Sequence, residues 1–546
     1  SSATWTLGSN FYDQESNPFP FGRASWSVQR GAFDTTLSAR ANRYRGVSIN
    51  NERVIDPSGM VLETRDEVFD EDGWNGSIAL QTRYSFPKTA VQLNAIIDAF
   101  DEQGGETSRR QPLGEEAFVL FQGDTDEETG YEIGIDLEQQ LGENVALKLI
   151  ALNRSDDFLE TGTLEQPELD RTNQTTRFRS RSRESIARSE LAWEANEQHQ
   201  FGFALEATEN RLTSDFTLQQ RVGDTLEPVD VPGALTRVLE NRYDAAMNYA
   251  TRVGNWSLDM EAAVERSTIK QTGDFSENRT FEFFKPAITV TYSPTQTLQV
   301  RLDSRRVVGQ LNFNDFVSAA DLGDQELALG NPNLAPESSW ETEVVLEQRF
   351  GELGLLSLTL FYDQIKDVVD QLPLSDGLEV PGNIGDGSRT GIRTNVTLPL
   401  GPIGIKGGRI DLTGRWQRSS VDDPLTGESR ELSDERSWEG NIAFRQDLPD
   451  QGLAWGGDVS VFAEQPRFGL DELDRFDTDP DLDAFIEKRL TGGLVVRMGI
   501  ENILENGTNR NRTVFAGRRD SSSVRFIEDR SGAGVRQVFL QISGTL

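Results

Sequence analysis

The chain has 546 residues, 54 Lys+Arg against 90 Asp+Glu, a formal net charge of −36, one His and no Cys. Without Cys there is no disulfide framework and no Cys-based metal site, and so acidic a chain repels nucleic-acid phosphate. No apolar run approaches the ~18–20 residues of a membrane helix, and no signal-peptide pattern opens at Ser1, yet a transmembrane β-strand needs only ~9–11 residues with every second one apolar.

Taken in order, the chain is a succession of such strands. Ala3–Tyr12 reads as the first, rising from the periplasm. Val91–Ala99 follows the same pattern, and in Tyr131–Glu138 the odd positions are Tyr131, Ile133, Ile135 and Leu137 against Glu132, Gly134, Asp136 and Glu138. A strand throws successive side chains to opposite faces, so one face is apolar and the other charged. The alternation recurs in Phe201–Ala207, Trp256–Val264, Leu298–Asp303, Trp438–Arg445, Trp455–Ala463, Leu490–Glu501 and Val538–Ser543. Aromatics at strand ends, such as Trp74, Trp256, Tyr292, Trp438 and Trp455, suit interfacial girdles. The charged face suits a water-filled lumen better than the core of a soluble sandwich.

Connections alternate in length. Short turns are expected at Gly31–Ala32, Pro87, Leu141–Asn144, Asn196–Gln198, Val253–Asn255, Ser293–Gln296, Gly351–Gly354, Gly401–Gly408, Pro449–Gly452 and Glu505–Thr508. Longer charged segments lie between them, among them Gly46–Asp72, Gly104–Glu115, Thr161–Thr176, Val222–Gly233, Gly309–Glu337, Val421–Ser437, Gly469–Glu487 and Arg518–Gly534. The expected fold is all-β: one transmembrane antiparallel up-and-down β-barrel over residues 1–546, with about 22 strands, short periplasmic turns and long extracellular loops. The last strand sends Val538, Leu540 and Ile542 outward.

One stretch is distinctive. Gly330–Asn331–Pro332–Asn333–Leu334–Ala335–Pro336–Glu337 leads into the strand Ser338–Phe350, a turn at Gly351–Gly354 and a second strand, Leu355–Val369. It resembles the TonB-dependent outer-membrane receptors, in which a GNPxLxPE run precedes a strand, a turn and an FYxxIxDVV-like strand. Pro381–Gly382–Asn383–Ile384–Gly385 and Gly499–Ile500–Glu501–Asn502–Ile503–Leu504 are similar to further runs of that family. The resemblance implies an outer-membrane barrel that imports a scarce solute, such as siderophore-iron or an oligosaccharide, with energy transmitted by TonB to an N-terminal plug. Neither a plug nor a TonB-binding segment is recognisable here, so a plug is expected that is cleaved, separate or outside this chain. Those receptors usually end on an aromatic residue, whereas this chain ends Gly544–Thr545–Leu546. The other reading is a structural or interaction barrel of the same fold that houses a partner subunit. A soluble multidomain β protein is the third.

Covalent chemistry finds no support. His199 is the one histidine and falls in a short turn, and no carboxylate pair stands out among 90 Asp+Glu. No catalytic residue and no cofactor is expected. Asp477, Asp479, Asp481 and Asp483 resemble the first half of a calcium loop, but Leu482 occupies the position of the invariant Gly and Lys488 that of the closing Glu, so a solvated acidic loop competes with a weak calcium site. Arg177, Arg179, Arg181 and Arg183 share the phase of Ala187, Leu191 and Trp193. Ten residues of tilted strand above Trp193 make ~25 Å, the height of the apolar band. The stripe is therefore expected to face outward above the outer leaflet. It could meet phosphates of the surface glycolipid, remain solvated, or bind a ligand. Arg83, Asp98, Glu132, Asp136, Asp259, Glu261, Glu265, Arg301, Asp303, Arg305, Arg445, Asp458, Arg497 and Glu501 are expected to face the lumen.

Overall fold

The computed structural model describes all residues except 14, 16, 170, 322–325 and 375–377. Twenty-two antiparallel strands close into one barrel. The first eight are β1 Ser2–Tyr12, β2 Phe19–Arg30, β3 Phe33–Ile55, β4 Val61–Ser85, β5 Thr89–Pro112, β6 Phe118–Gln140, β7 Val145–Gln166 and β8 Arg171–Asn196. The next seven are β9 His199–Val222, β10 Leu235–Val253, β11 Trp256–Gly273, β12 Glu277–Tyr292, β13 Leu298–Val308, β14 Ser338–Phe350 and β15 Gly354–Lys366. The last seven are β16 Gly387–Pro399, β17 Gly408–Asp422, β18 Trp438–Leu448, β19 Leu453–Phe462, β20 Asp481–Arg489, β21 Val495–Glu501 and β22 Gln537–Thr545. Each pairs with the next, and β22 returns to β1 in the register Thr4↔Thr545 to Tyr12↔Gln537, so the barrel has no free edge.

Parity along the strands is as read from the sequence. Tyr131, Ile133 and Ile135 on β6, Met260 and Val264 on β11, and Leu540 and Ile542 on β22 are exposed on the outside. Their polar neighbours face the lumen and pair across strands: Arg83 with Glu138 at 2.8 Å, Lys285 with Glu265 at 2.6 Å, Arg305 with Glu341 at 2.8 Å. At the periplasmic rim, stacked aromatics girdle the outer wall: Trp256 on Tyr292 with centroids 4.4 Å apart, Trp193 on Phe201 at 5.2 Å. Trp74, Trp340, Trp416 and Trp438 stand exposed at the other rim. Amphipathic rings at both rims bracket a transmembrane band.

Nine of the ten short turns fall where the spacing puts them. Gly31 and Gly254 adopt φ of 62° and 59°, a left-handed backbone that favours glycine. The tenth is a correction. Asn502–Gly507 lies at the extracellular rim, where it feeds the hairpin Thr508–Phe515/Val524–Gly534. The periplasmic turn is Leu490–Leu494, closed by the Leu490 N–H on the Leu494 carbonyl at 2.7 Å. Gly492 and Gly493, both at φ 82°, break what reads as one continuous alternation. Correspondingly, Asp481–Glu487 is barrel strand rather than the end of an outer loop.

Much of the supposed loop sequence is also strand. β3 through β9 run well past the outer girdle, so Gly46–Ile55 and Thr161–Gln166 continue the wall into the extracellular space. Beyond the end of β2, Val524–Gly534 replaces it as the partner of β3, in the register Ser48↔Gly534 to Ile55↔Ile527. The inner face of this crown is filled by paired charges. Arg512 holds Glu472 at 2.5 Å and Glu528 at 3.1 Å, and Arg65 reaches Glu528 at 3.1 Å and Glu52 beside it. Buried charges persist only when so paired.

Candidate ligand mouth

Two loops fold back into the extracellular mouth and define a site. The alternation explains why. Leu212 on β9, Val238 on β10 and Ile269 on β11 are apolar at lumen-facing positions above the membrane band. Leu311, Phe316, Val317 and Leu334, from the loop between β13 and β14, bury themselves against this patch. Phe316 is 2% exposed and Leu334 1%. The second loop, carrying the hairpin Val369–Pro373/Glu379–Asn383, packs Val368 on Ile365, Val421 and Leu432.

The two loops are stapled to each other by side-chain amides. Asn331 donates from Nδ2 to the Pro381 carbonyl at 2.8 Å. Asn383 accepts from the Ala335 N–H at 2.8 Å and donates to the carbonyls of Ala335 at 2.9 Å and Asp367 at 2.8 Å. Glu337 accepts from the Val369 N–H at 3.1 Å. Gly330 lies so close to the Phe316 carbonyl that a Cβ would stand 2.3 Å from it.

Beneath the first loop, Gln310–Asn314 and the inner wall of β6–β9 enclose a cleft of about 530 Å³. Phe158, Phe178 and Phe313 give it apolar faces. Asn210, Asn312, Asn314, Ser180 and Ser182 supply neutral hydrogen-bonding groups, and Glu128, Asp156 and Arg154 the charges. Arg154 is spent on Asp156 at 3.1 Å. Such a lining can stack and hydrogen-bond a polar organic solute.

Beside the cleft the lumen wall is strongly acidic. Glu102, Asp126 and Glu160 are directly opposite one another on β5, β6 and β7. Glu102, Asp124 and Asp126 bring carboxylate oxygens within 4.8 Å of one another, the one such metal-competent group among the described residues. Tyr44 donates its hydroxyl to Glu102 at 2.5 Å. Burial, then Glu160, Asp124, Glu102 and Glu71, push Asp126 up to about 7. Burial and like-charged neighbours likewise raise Glu71, Asp124 and Glu160.

The residues singled out in the sequence fall elsewhere. Asp477 ends the outer strand Glu472–Thr478 on its exposed face, while Asp481 and Asp483 begin β20. Asp479 accepts from Asn509 at 3.2 Å and Asp483 from the Asn502 N–H at 2.9 Å. The loop geometry that would aim all four carboxylates at one ion is thus replaced by two strand ends. Arg177, Arg179, Arg181 and Arg183 lie on β8 with the parity of exposed Trp193, on the outside. His199 opens β9, with Nδ1 2.8 Å from the Tyr249 hydroxyl. The infolded cleft went unread, although apolar residues at lumen positions and inside a polar loop were its signal.

Comparison with solved structures finds the same fold in several other chains. The ferric citrate transporter FecA in its unliganded form aligns over 100% of this chain and 78% of its own, at TM-score 0.68 and 11% identity. The copper transporter OprC aligns over 100% and 81%, at 0.67 and 10%. The ferric yersiniabactin uptake receptor FyuA from Yersinia pestis aligns over 100% and 80%, at 0.64 and 12%. No curated protein matches the sequence. The family model of the TonB dependent receptor-like β-barrel matches residues 65–503, most of the barrel wall and both infolded loops, and the chain belongs to that family.

Proposed function

We propose that this chain is the barrel of a Gram-negative outer-membrane transporter that captures a scarce solute at its extracellular mouth and passes it inward on energy delivered by TonB through a plug. The observation that carries this reading is the infolding of the loop between β13 and β14 onto Leu212, Val238 and Ile269, which leaves a roofed cleft of about 530 Å³ instead of an open hole. A cleft of that size suits a siderophore-bound metal or a short oligosaccharide. The barrel does no covalent chemistry. Its part is to bind, exclude and release.

The test is uptake by a deletion strain supplied with radiolabelled ferric chelates and glycans, with and without TonB. The expected result is loss of uptake of one solute, restored by the gene only when TonB is present. Restored uptake that is indifferent to TonB overturns the reading and favours an interaction barrel that houses a partner subunit.

A further inference from the structure

The outer wall above β7–β10 carries a positive patch on an otherwise acidic molecule. Arg183 on β8 lies directly opposite Arg211 on β9, both pointing outward. Like charges facing each other across an antiparallel pair are unfavourable. Nearby, Asp157 is shared by Arg179 at 2.8 Å and Arg181 at 3.0 Å, and Glu209 lies 2.9 Å from Arg211. Asp215 stands opposite Arg179, and Arg177 and Arg237 complete the patch on the same outer face. Six guanidiniums thus face three carboxylates, in a chain of net charge −36.

Directly below this patch the wall is hollow. Ala187, Ala207 and Ala245 form the floor of a trough of about 1020 Å³, flanked by Leu149, Leu205, Tyr243 and Phe284. From Ala187 to Arg183 is four residues, or ~13 Å of strand. A second trough, of about 860 Å³ with Ala24, Ala39 and Ala99, opens farther round the wall, on β1–β5. There the arginines above are matched: Arg43 holds Asp72 at 3.1 Å and Arg45 holds Asp70 at 2.6 Å. Only the first trough is capped by uncompensated cations.

We propose that this trough and its arginine cap bind a phosphate-bearing glycolipid of the outer leaflet, with acyl chain along the alanine floor and a phosphate bridging Arg183 and Arg211. A guanidinium pair suits a phosphate through charge-assisted, bidentate hydrogen bonds, and the anion relieves the repulsion between them. Binding at this site needs neither the cargo nor TonB.

Native mass spectrometry of the detergent-purified protein, titrated with bisphosphorylated lipid A, its dephosphorylated form, or a zwitterionic phosphatidylethanolamine, tests this. The protein is expected to retain bisphosphorylated lipid A about tenfold better than either other lipid. The double variant Arg183→Gln/Arg211→Gln is expected to lose that preference, while Arg43→Gln keeps it. Thermal unfolding supplies a second readout. Without glycolipid the double variant is expected to unfold at the same or a higher temperature than the parent, because an opposed pair of like charges is gone. With lipid A only the parent gains stability. Equal retention of the three lipids, or an unchanged preference in the double variant, overturns the proposal.

Discussion

Arg430 holds Asp370 and Asp423 at once, 2.9 Å from each, and so ties the second infolded hairpin to the outer loop after β17. All three side chains are nearly sealed from water, at 8%, 6% and 2% exposure. Arg519 closes the cluster on Asp423 at 2.7 Å, and the N–H groups of Leu425 and Thr426 donate to its other oxygen at 2.9 Å. Burial would raise this carboxyl, but these donors outweigh it and hold Asp423 down at about 2. A depressed carboxyl contributes stability that is present above its unfolded value of 3.8 and lost as pH falls through about 2. Asp423→Asn is expected to cost about 3 kcal/mol of loop docking at neutral pH, since it takes from Arg519 its carboxylate and leaves Arg430 with Asp370 alone. Hydrogen exchange across Val369–Pro373 and Asp422–Arg430 reads this. Unchanged protection would show that the cluster does not hold the loops.

Asp126 has the opposite sign. Burial and the facing Glu160, Asp124, Glu102 and Glu71 place its carboxyl at about 7, so the folded barrel favours the protonated form. That contribution is full below 3.8 and lost as pH rises through about 7. Asp126→Asn is expected to raise stability at pH 8 by about 1 kcal/mol after screening by lumen water, with little effect at pH 5. Thermal unfolding of the two proteins in detergent at both pH values makes the comparison.

Packing of the first loop rests on few side chains. Leu334 and Phe316 are buried against Leu212, Val238 and Ile269, which belong to the rigid wall. Leu334→Ala is expected to weaken docking by about 2–5 kcal/mol through the cavity it leaves. The barrel itself, closed by backbone ladders, should keep its unfolding temperature. Faster protease cleavage within Gly309–Glu337 on intact cells, with unchanged heat resistance of the barrel, is the expected pair of results.

The barrel was legible because its period is short-range. Alternation at Tyr131–Leu137 or Trp256–Val264 places each side chain inside or outside without reference to the rest of the chain. Turns carried by one glycine, as at Gly31, were equally plain. What stayed hidden depends on contacts far apart in sequence. The crown partner of Ser48–Ile55 is Ile527–Gly534, and nothing local announces it. The turn at Leu490–Leu494 was masked because alternation continued across it. The mouth was hidden for the same reason: Leu311 and Phe316 lie within the long segment Gly309–Glu337, and only the fold sets Val238 beneath them. The outward phase of the arginine stripe was legible, whereas the trough under it was not, since alanines on β8, β9 and β10 meet only once register is fixed.

The motif that signalled the family makes the sharpest prediction. Asn331 and Ala335 come from one signature run, Pro381 and Asn383 from another, and the two meet through hydrogen bonds of 2.8–2.9 Å. The runs are therefore halves of one joint between the infolded loops, and their role is architectural, independent of cargo. Asn383→Ala removes three hydrogen bonds and leaves the Ala335 N–H and two carbonyls to find water, at a cost of about 2–3 kcal/mol to the joint. Gly330→Ala is expected to act as strongly by another route, since its Cβ would meet the Phe316 backbone at 2.3 Å, where nothing flexible can yield. If the joint is a unit, either change should raise hydrogen exchange in both Leu311–Val317 and Val369–Pro373, and the two together should cost less than their sum. Loss of protection confined to the mutated loop, with additive effects in the double variant, would mean that the runs serve their loops separately.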